Sequence, residues 1–276
     1  MTEQQPDLLT DPPEGPLADQ GRTIELEIEV AGTPEEVWRA IATGPGISSW
    51  YVPHQVDERE GGAASASFGP GPEMQIPGRV VAWEPPHRVV FDGGETGGEG
   101  LAFEWLVEAR DGGSCLVRLV NTGFGSGEEW DALFDGMSEG WLLFLLNLQL
   151  HLAHFGGRTA TSMLPGVTWP GSRREVWDAV TTALGVPNDP EVGSHLRVTA
   201  PEAPALAGRV MSACAPSRFA MLLDEPAPGT AIIAVEGDGD QMSVSVWSYL
   251  YGDDRTAIVA RDLPLWNAWL AAAAGS

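Results

Sequence analysis

The sequence predicts an α+β fold in which antiparallel strands are closed by a long helix, laid down twice in tandem. Three observations carry this. Residues 23–30 (TIELEIEV) and 101–108 (LAFEWLVE) alternate apolar with polar side chains, the two-residue period of a strand with one buried face. Residues 128–155 place Trp130, Phe134, Met137, Trp141, Phe144, Leu145, Leu148 and Leu152 at spacings of three and four, one apolar face of a helix. The second half also echoes the first: REVWDAV at 174–180 follows EVWRAI at 36–41, and GRVMSACAPSR at 208–218 follows GRVVAWEPPHR at 78–88 without a gap.

In chain order, residues 1–21 are rich in proline and acid and are expected to be a disordered lead-in. They have neither the basic nor the apolar region of a signal peptide. After the first strand, Thr33-Pro34 opens a helix: threonine caps it, proline fits its first turn, and Glu35-Glu36 suit the positive end of its dipole. Val37, Trp38 and Ile41 make the buried stripe, and Gly44-Pro45-Gly46 ends it before a short helical turn at 47–50. Strands and turns follow, with a hairpin of 78–83 and 87–91 around Glu84-Pro85-Pro86, then strands at 101–108 and 114–122.

The long helix is expected to start with a capping box of Ser126 and Glu129 and to stop at Gly156-Gly157. At 1.5 Å per residue it would span about 40 Å, enough to cross a whole sheet. Residues 141–148 (WLLFLLNL) are apolar nearly all round, so the middle should be covered on more than one side. The run is too short, and too closely flanked by Asp135, Glu139 and His151, to cross a bilayer. Gly136 and Gly140 each cost about 1 kcal/mol relative to alanine and point to a kink or a close approach.

A formal charge of -24 and the complete lack of lysine argue against nucleic acid and anionic membrane as partners. They also exclude a Schiff-base lysine and a Walker-type phosphate loop. Cys115 and Cys214 sit in strand-like contexts and are expected to be reduced core residues of a cytoplasmic protein.

The motif VAGTPEEVWRAIATGPGISSWYVP, then GRVVAWEPPHRVVF, then a terminal long helix resembles the SRPBCC (START-like, helix-grip) superfamily. Within it, the match is to the activator of Hsp90 ATPase homologue-like family, over roughly residues 22–157. The resemblance implies tandem helix-grip domains, each a curved antiparallel sheet wrapped on a long C-terminal helix. The expected division is a complete domain at 22–158 and a degenerate copy at 159–276, closed by a helix over 253–274. It also implies a cavity between sheet and helix that takes an apolar or lipid-like molecule. The candidate ligand-binding residues are Trp50, Phe68, Met74, Phe103, Trp105, Asn121, Trp141, Phe144, Leu145 and Leu148. A solid core uses the same residue types, so both readings stay open at this point. The second copy, with fewer large apolar residues on its closing helix, should have the smaller cavity.

Other candidates are weighed against simpler roles. His151 and His154, with His54 or His87, could share a metal, but polar residues near a helix C-terminus are the better reading. Arg79 is expected in a surface ion pair and the strand glutamates on a solvated outer face. Gly93-Gly94 and Gly97-Gly98 suit a mobile loop. No catalytic set, metal or cofactor is expected. The leading function is non-catalytic binding of a small apolar molecule. The alternatives are a polyketide cyclase/aromatase-like enzyme, which a histidine beside an arginine in the cavity would favour, and a chaperone-ATPase-activator module. Further candidate partners are accordingly a chaperone and a homo-oligomer.

Overall fold

The first sheet begins with a strand whose two faces differ in every respect. In the computed structural model, which describes residues 22–69, 71–93, 100–237 and 239–274, β1 (Ile24–Ala31) turns Ile24, Leu26, Ile28 and Val30 inward and Glu25, Glu27 and Glu29 outward. Those outward carboxylates meet Arg118 and Ser114 of the neighbouring strand, with Arg118 Nε 2.9 Å from Glu27 Oε1. The expected lead-in at 1–21 and the glycines 94, 97 and 98 lie outside the described residues.

Helix α1 (Pro34–Ala42) has the Thr33–Glu36 capping box and buries Val37, Trp38 and Ile41. Trp38 packs edge-on against Trp83 at 4.9 Å, fixing α1 to the sheet. A short α2 (Gly44–Ile47) follows, then β2 (His54–Val56), β3 (Ala63–Ser67), β4 (Gln75–Glu84), β5 (Arg88–Asp92), β6 (Ala102–Arg110) and β7 (Ser114–Thr122). All pairs are antiparallel, in the order β1-β7-β6-β5-β4-β3-β2. Helix α3 (Glu128–Phe155) then lies across the concave face.

The start of α3 differs from expectation. Its N-cap is Gly127, at φ 112, and no side chain caps it. A glycine at positive φ turns the chain sharply into the helix, and Glu128, Glu129 and Asp131 in the first turn compensate through the dipole.

The second half repeats the plan. It contains β8 (Thr161–Met163), β9 (Gly166–Pro170), α4 (Arg173–Leu184), β10 (His195–Arg197), β11 (Ala207–Cys214), β12 (Arg218–Glu225), β13 (Gly229–Glu236), β14 (Gln241–Leu250) and α5 (Arg255–Ala273). The strands run β10-β11-β12-β13-β14, and both β8 and β9 pair with the free side of β14. α4 repeats the capping box with Ser172 and Glu175. The repeat reaches down to a single irregularity: the register shifts between Val80 and Ala82 in β4 and between Val210 and Ser212 in β11, the same place in the echoed GRV segments. The fold is therefore α+β, with two helix-grip sheets each closed by a C-terminal helix.

The long helix is covered on both sides. One side faces its own sheet through Trp141, Phe144, Leu145, Leu148 and Leu152. On the other, Leu143 and Leu146 pack against Ala220, Ile232 and Ala234 on the outer face of the second sheet. Polar ties lock this contact: Asn147 donates to the Trp50 carbonyl at 2.8 Å and accepts from the Thr230 hydroxyl at 2.7 Å. Strand β13 is consequently buried on both faces, which is why residues 231–235 (AIIAV) are continuously apolar. One expectation fails here. Cys115 is buried, but Cys214 is exposed, because it is the last residue of β11 before a turn.

Candidate functional site

Between α3 and the first sheet is a cavity of about 710 Å³, within the size range of small-molecule sites. Every lining side chain belongs to the first domain. Trp50, Trp105 and Trp141 form its inner wall as a chain of edge-to-face contacts, each step 5.6 Å between ring centroids. Hydrogen bonds orient two of these rings. Trp50 Nε1 donates to the Ala40 carbonyl at 2.9 Å, and Trp141 Nε1 reaches Asn121 Oδ1 at 3.4 Å. Asn121 is itself held by the Ala102 carbonyl at 3.1 Å.

Of the ten candidate residues, Trp50, Phe68, Phe103, Trp105, Trp141 and Phe144 come together on the cavity wall. The other four do not. Asn121 is fully buried behind Trp141 and acts through that ring. Leu145 and Leu148 occupy the same helix but point into packed core. Met74 lies outside on a turn, 40% exposed and against Gly69. A shared helix face or strand register thus places a side chain inward without placing it on the cavity.

The sequence reading missed Tyr51 and His54, which line the cavity beside Trp50. They sit after α2 and on the three-residue β2, too short for a periodic signal; the only clue was their position next to an expected core tryptophan. Tyr51 meets Phe144 edge-on at 4.3 Å and Trp141 at 5.2 Å. Burial raises its phenol above the ordinary tyrosine range and lowers His54 below the ordinary histidine range, so both rings are neutral. Gly136 and Gly140 of α3 also line the cavity, and a Cβ built at Gly136 would meet nothing within 4 Å. The two glycines leave the helix wall bare where side chains would intrude. At the rim Phe68, Ile76 and Leu133 are exposed apolar residues.

Arg79 pairs with Asp92 at 3.0 Å, the surface ion pair expected, and Asp92 lies on the cavity edge. His151 is not at a solvated helix end. It is buried, with Nδ1 2.6 Å from the Tyr251 hydroxyl, which reaches the Ser49 carbonyl at 3.1 Å. Its place is therefore the seam between the domains, while His154 stays exposed. Among the described residues no group of three His, Cys, Asp or Glu side chains could hold a metal ion. No helix among them is long and apolar enough to cross a membrane.

An antiparallel sheet gripping a terminal helix over an aromatic cavity defines the class as helix-grip. Residues 31–153 match the family described as Activator of Hsp90 ATPase homolog 1-like protein. Among curated proteins, the uncharacterized Rv1546 of Mycobacterium tuberculosis (strain ATCC 25618 / H37Rv) is 26% identical over 109 residues, covering 37% of this chain and 76% of that one. Among solved structures, the Aha1 dimer from Colwellia psychrerythraea is 18% identical with a TM-score of 0.41, covering 48% of this chain and 96% of that one. The di-domain ARO/CYC BexL from the BE-7585A biosynthetic pathway is 16% identical with a TM-score of 0.43, covering 92% of this chain and 94% of that one. Likenesses this distant carry no argument about ligand or activity here.

Proposed function

We propose that the first domain binds a small apolar molecule between its concave sheet and α3, without catalysing a reaction on it. The observation that carries this reading is that the aromatic cluster is hollow: large rings line about 710 Å³ of space and do not fill it. Burying apolar ligand surface there would supply about 25 cal/mol per Å². The bare wall at Gly136 and Gly140 and the exposed rim at Phe68 and Leu133 support an entry path. The cyclase/aromatase reading asked for a histidine beside an arginine. His54 is on the wall, but no arginine is among the described lining residues, and the binding reading is the better supported.

We further place the domain division between Phe155 and Thr161, where α3 ends and the second sheet begins. The cytoplasm is our proposed compartment, in keeping with two cysteines that are both unpaired. Native mass spectrometry of the purified protein tests the binding reading. A co-purified small molecule that is lost on denaturation, or uptake of an added apolar ring compound at micromolar concentration, is the expected result. A protein that carries nothing and takes up no such compound would remove this function.

A further inference from the structure

Two neighbouring side chains on the cavity wall carry polar atoms that no described residue engages. His54 Nδ1 lies 2.8 Å from the Val52 carbonyl. A carbonyl oxygen only accepts, so Nδ1 carries the ring proton and Nε2 is left with a bare lone pair. Burial disfavours the imidazolium, which keeps that lone pair free. The ring of Tyr51 lies 5.5 Å from the ring of His54, and its hydroxyl has no partner among the described residues. Burial keeps it protonated, hence a donor.

Apart from Ser65, Gln75 and Asp92, the rest of the wall is apolar. The sequence has no lysine, no arginine is among the described lining residues, and the acidic residue at the edge, Asp92, is paired with Arg79. An incoming molecule therefore meets an acceptor at His54, a hydroxyl at Tyr51 and, at the edge, the carboxylate of Asp92, whose partner Arg79 is already engaged at 3.0 Å and is not itself a lining residue.

We propose that the cavity selects neutral, ring-bearing molecules that carry a hydroxyl, with the ligand O–H donating to His54 Nε2 beside the Tyr51 hydroxyl, and that it rejects the corresponding carboxylates. This rests on the binding reading above and sharpens it. A bound ligand that lacks the O–H takes water away from the His54 Nε2 lone pair and offers it no partner, which a polar site penalises more than an apolar pocket penalises a missing methylene. A carboxylate must shed its water among lining residues that include no lysine or arginine, and Arg79 at the edge is already engaged by Asp92.

The test uses the full-length protein and ligand-observed NMR with 2-naphthol, 2-methoxynaphthalene and 2-naphthoate. The three share one ring system and differ in having a donor, an acceptor only, and a charge. The wild type should bind 2-naphthol about tenfold more tightly than 2-methoxynaphthalene, the effect of about one hydrogen bond, and should bind 2-naphthoate more weakly than either. In a folded His54→Phe variant the naphthol preference should fall to within about twofold, while 2-methoxynaphthalene affinity holds. Equal binding of 2-naphthol and 2-methoxynaphthalene by the wild type, tight binding of 2-naphthoate, or an undiminished preference in His54→Phe overturns the selectivity and leaves the cavity reading standing. If none of the three binds, the cavity reading itself falls, and this proposal with it. The wild-type comparison decides even if the variant does not fold.

Discussion

Phe144 on the first domain's long helix stacks against Trp247 of the second domain, with ring centroids 5.4 Å apart and planes 29° from parallel. It also meets Tyr51, edge-on at 4.3 Å, on the cavity wall. One ring thus belongs to both the wall and the domain seam. The second domain, none of whose described residues lines the cavity, buttresses the wall from behind.

That double role makes Phe144 a direct test of hollowness. Phenylalanine to alanine in a solid core costs about 3–5 kcal/mol. Because one side of Phe144 faces open space, Phe144→Ala should cost clearly less, roughly 1–3 kcal/mol by urea unfolding, and should change the affinity for an apolar probe. Trp247→Ala leaves the lining residues unchanged, yet it should also weaken probe binding through loss of the stacked support. A full core penalty at Phe144 together with no probe binding by the wild type would remove the pocket.

Gly136 offers the opposite manipulation. A side chain there meets nothing within 4 Å, and the position is inside a helix, where glycine costs about 1 kcal/mol against alanine. Gly136→Leu should therefore raise the melting temperature while lowering apolar-probe affinity. Calorimetry and a binding titration on the same preparation separate the two effects. Unchanged affinity would mean that the helix wall at this point does not face the ligand.

The features legible in the sequence were those with a period or a repeat. Residues 128–155 announced a helix of the observed length, and the echo of GRV announced a second sheet, though not that its register would shift at the same place as the first. The all-round apolar run at 141–148 announced a helix covered twice, though not that Ala220, Ile232 and Ala234 would cover it. The cavity was only half legible. Leu148 and Phe144 share a helical stripe, and which of them faces space depends on the curvature of the sheet opposite, a tertiary property with no local pattern. Tyr51 and His54 escaped for a related reason: residues after a short helical turn are aimed by Ser48, whose hydroxyl accepts from the His54 backbone N–H at 2.8 Å, not by any periodicity. The misplaced cap at Ser126 shows a local motif losing to a glycine turn demanded by chain direction.

His151 carries a prediction about pH. Burial lowers its pKa from 6.5 to about 4. Around it are Tyr251 and, on the next turn of the helix, Phe155, with the Arg158 guanidinium over both of those rings. No carboxylate contacts it among the described residues. The unfolded chain binds the proton more readily than the native one between those two values, so stability rises with pH across that window and is lost as pH falls through it. The loss from this one group approaches about 3 kcal/mol at the lower end. Comparing wild type with His151→Gln by urea unfolding at pH 7 and pH 4.5 isolates it from the carboxylates. The variant should lose less stability on acidification; an identical loss would show that His151 does not titrate in this way.

The last prediction concerns what the second domain does for the first. Leu143 and Leu146 face away from the first sheet, and their partners Ala220, Ile232 and Ala234 all come from the second. Asn147 satisfies Thr230, and Phe155 stacks on Tyr251 at 3.9 Å with planes only 7° apart. Removing residues 159–276 would leave this stripe of α3 in water, a contiguous apolar surface of the kind that drives association. A fragment of residues 22–158 should therefore fold less stably than the same segment in the whole chain, and should self-associate at micromolar concentration in light scattering. Glutamate at positions 143 and 146 should return the fragment to a monomer, since charge on the stripe opposes pairing without touching the inward face. The same pair of substitutions in the full chain should be strongly destabilising, because there it buries two unpaired charges against the second sheet. A fragment that is monomeric and as stable as the intact protein would show that the seam is a loose contact, and that the second domain does not hold the cavity wall in place.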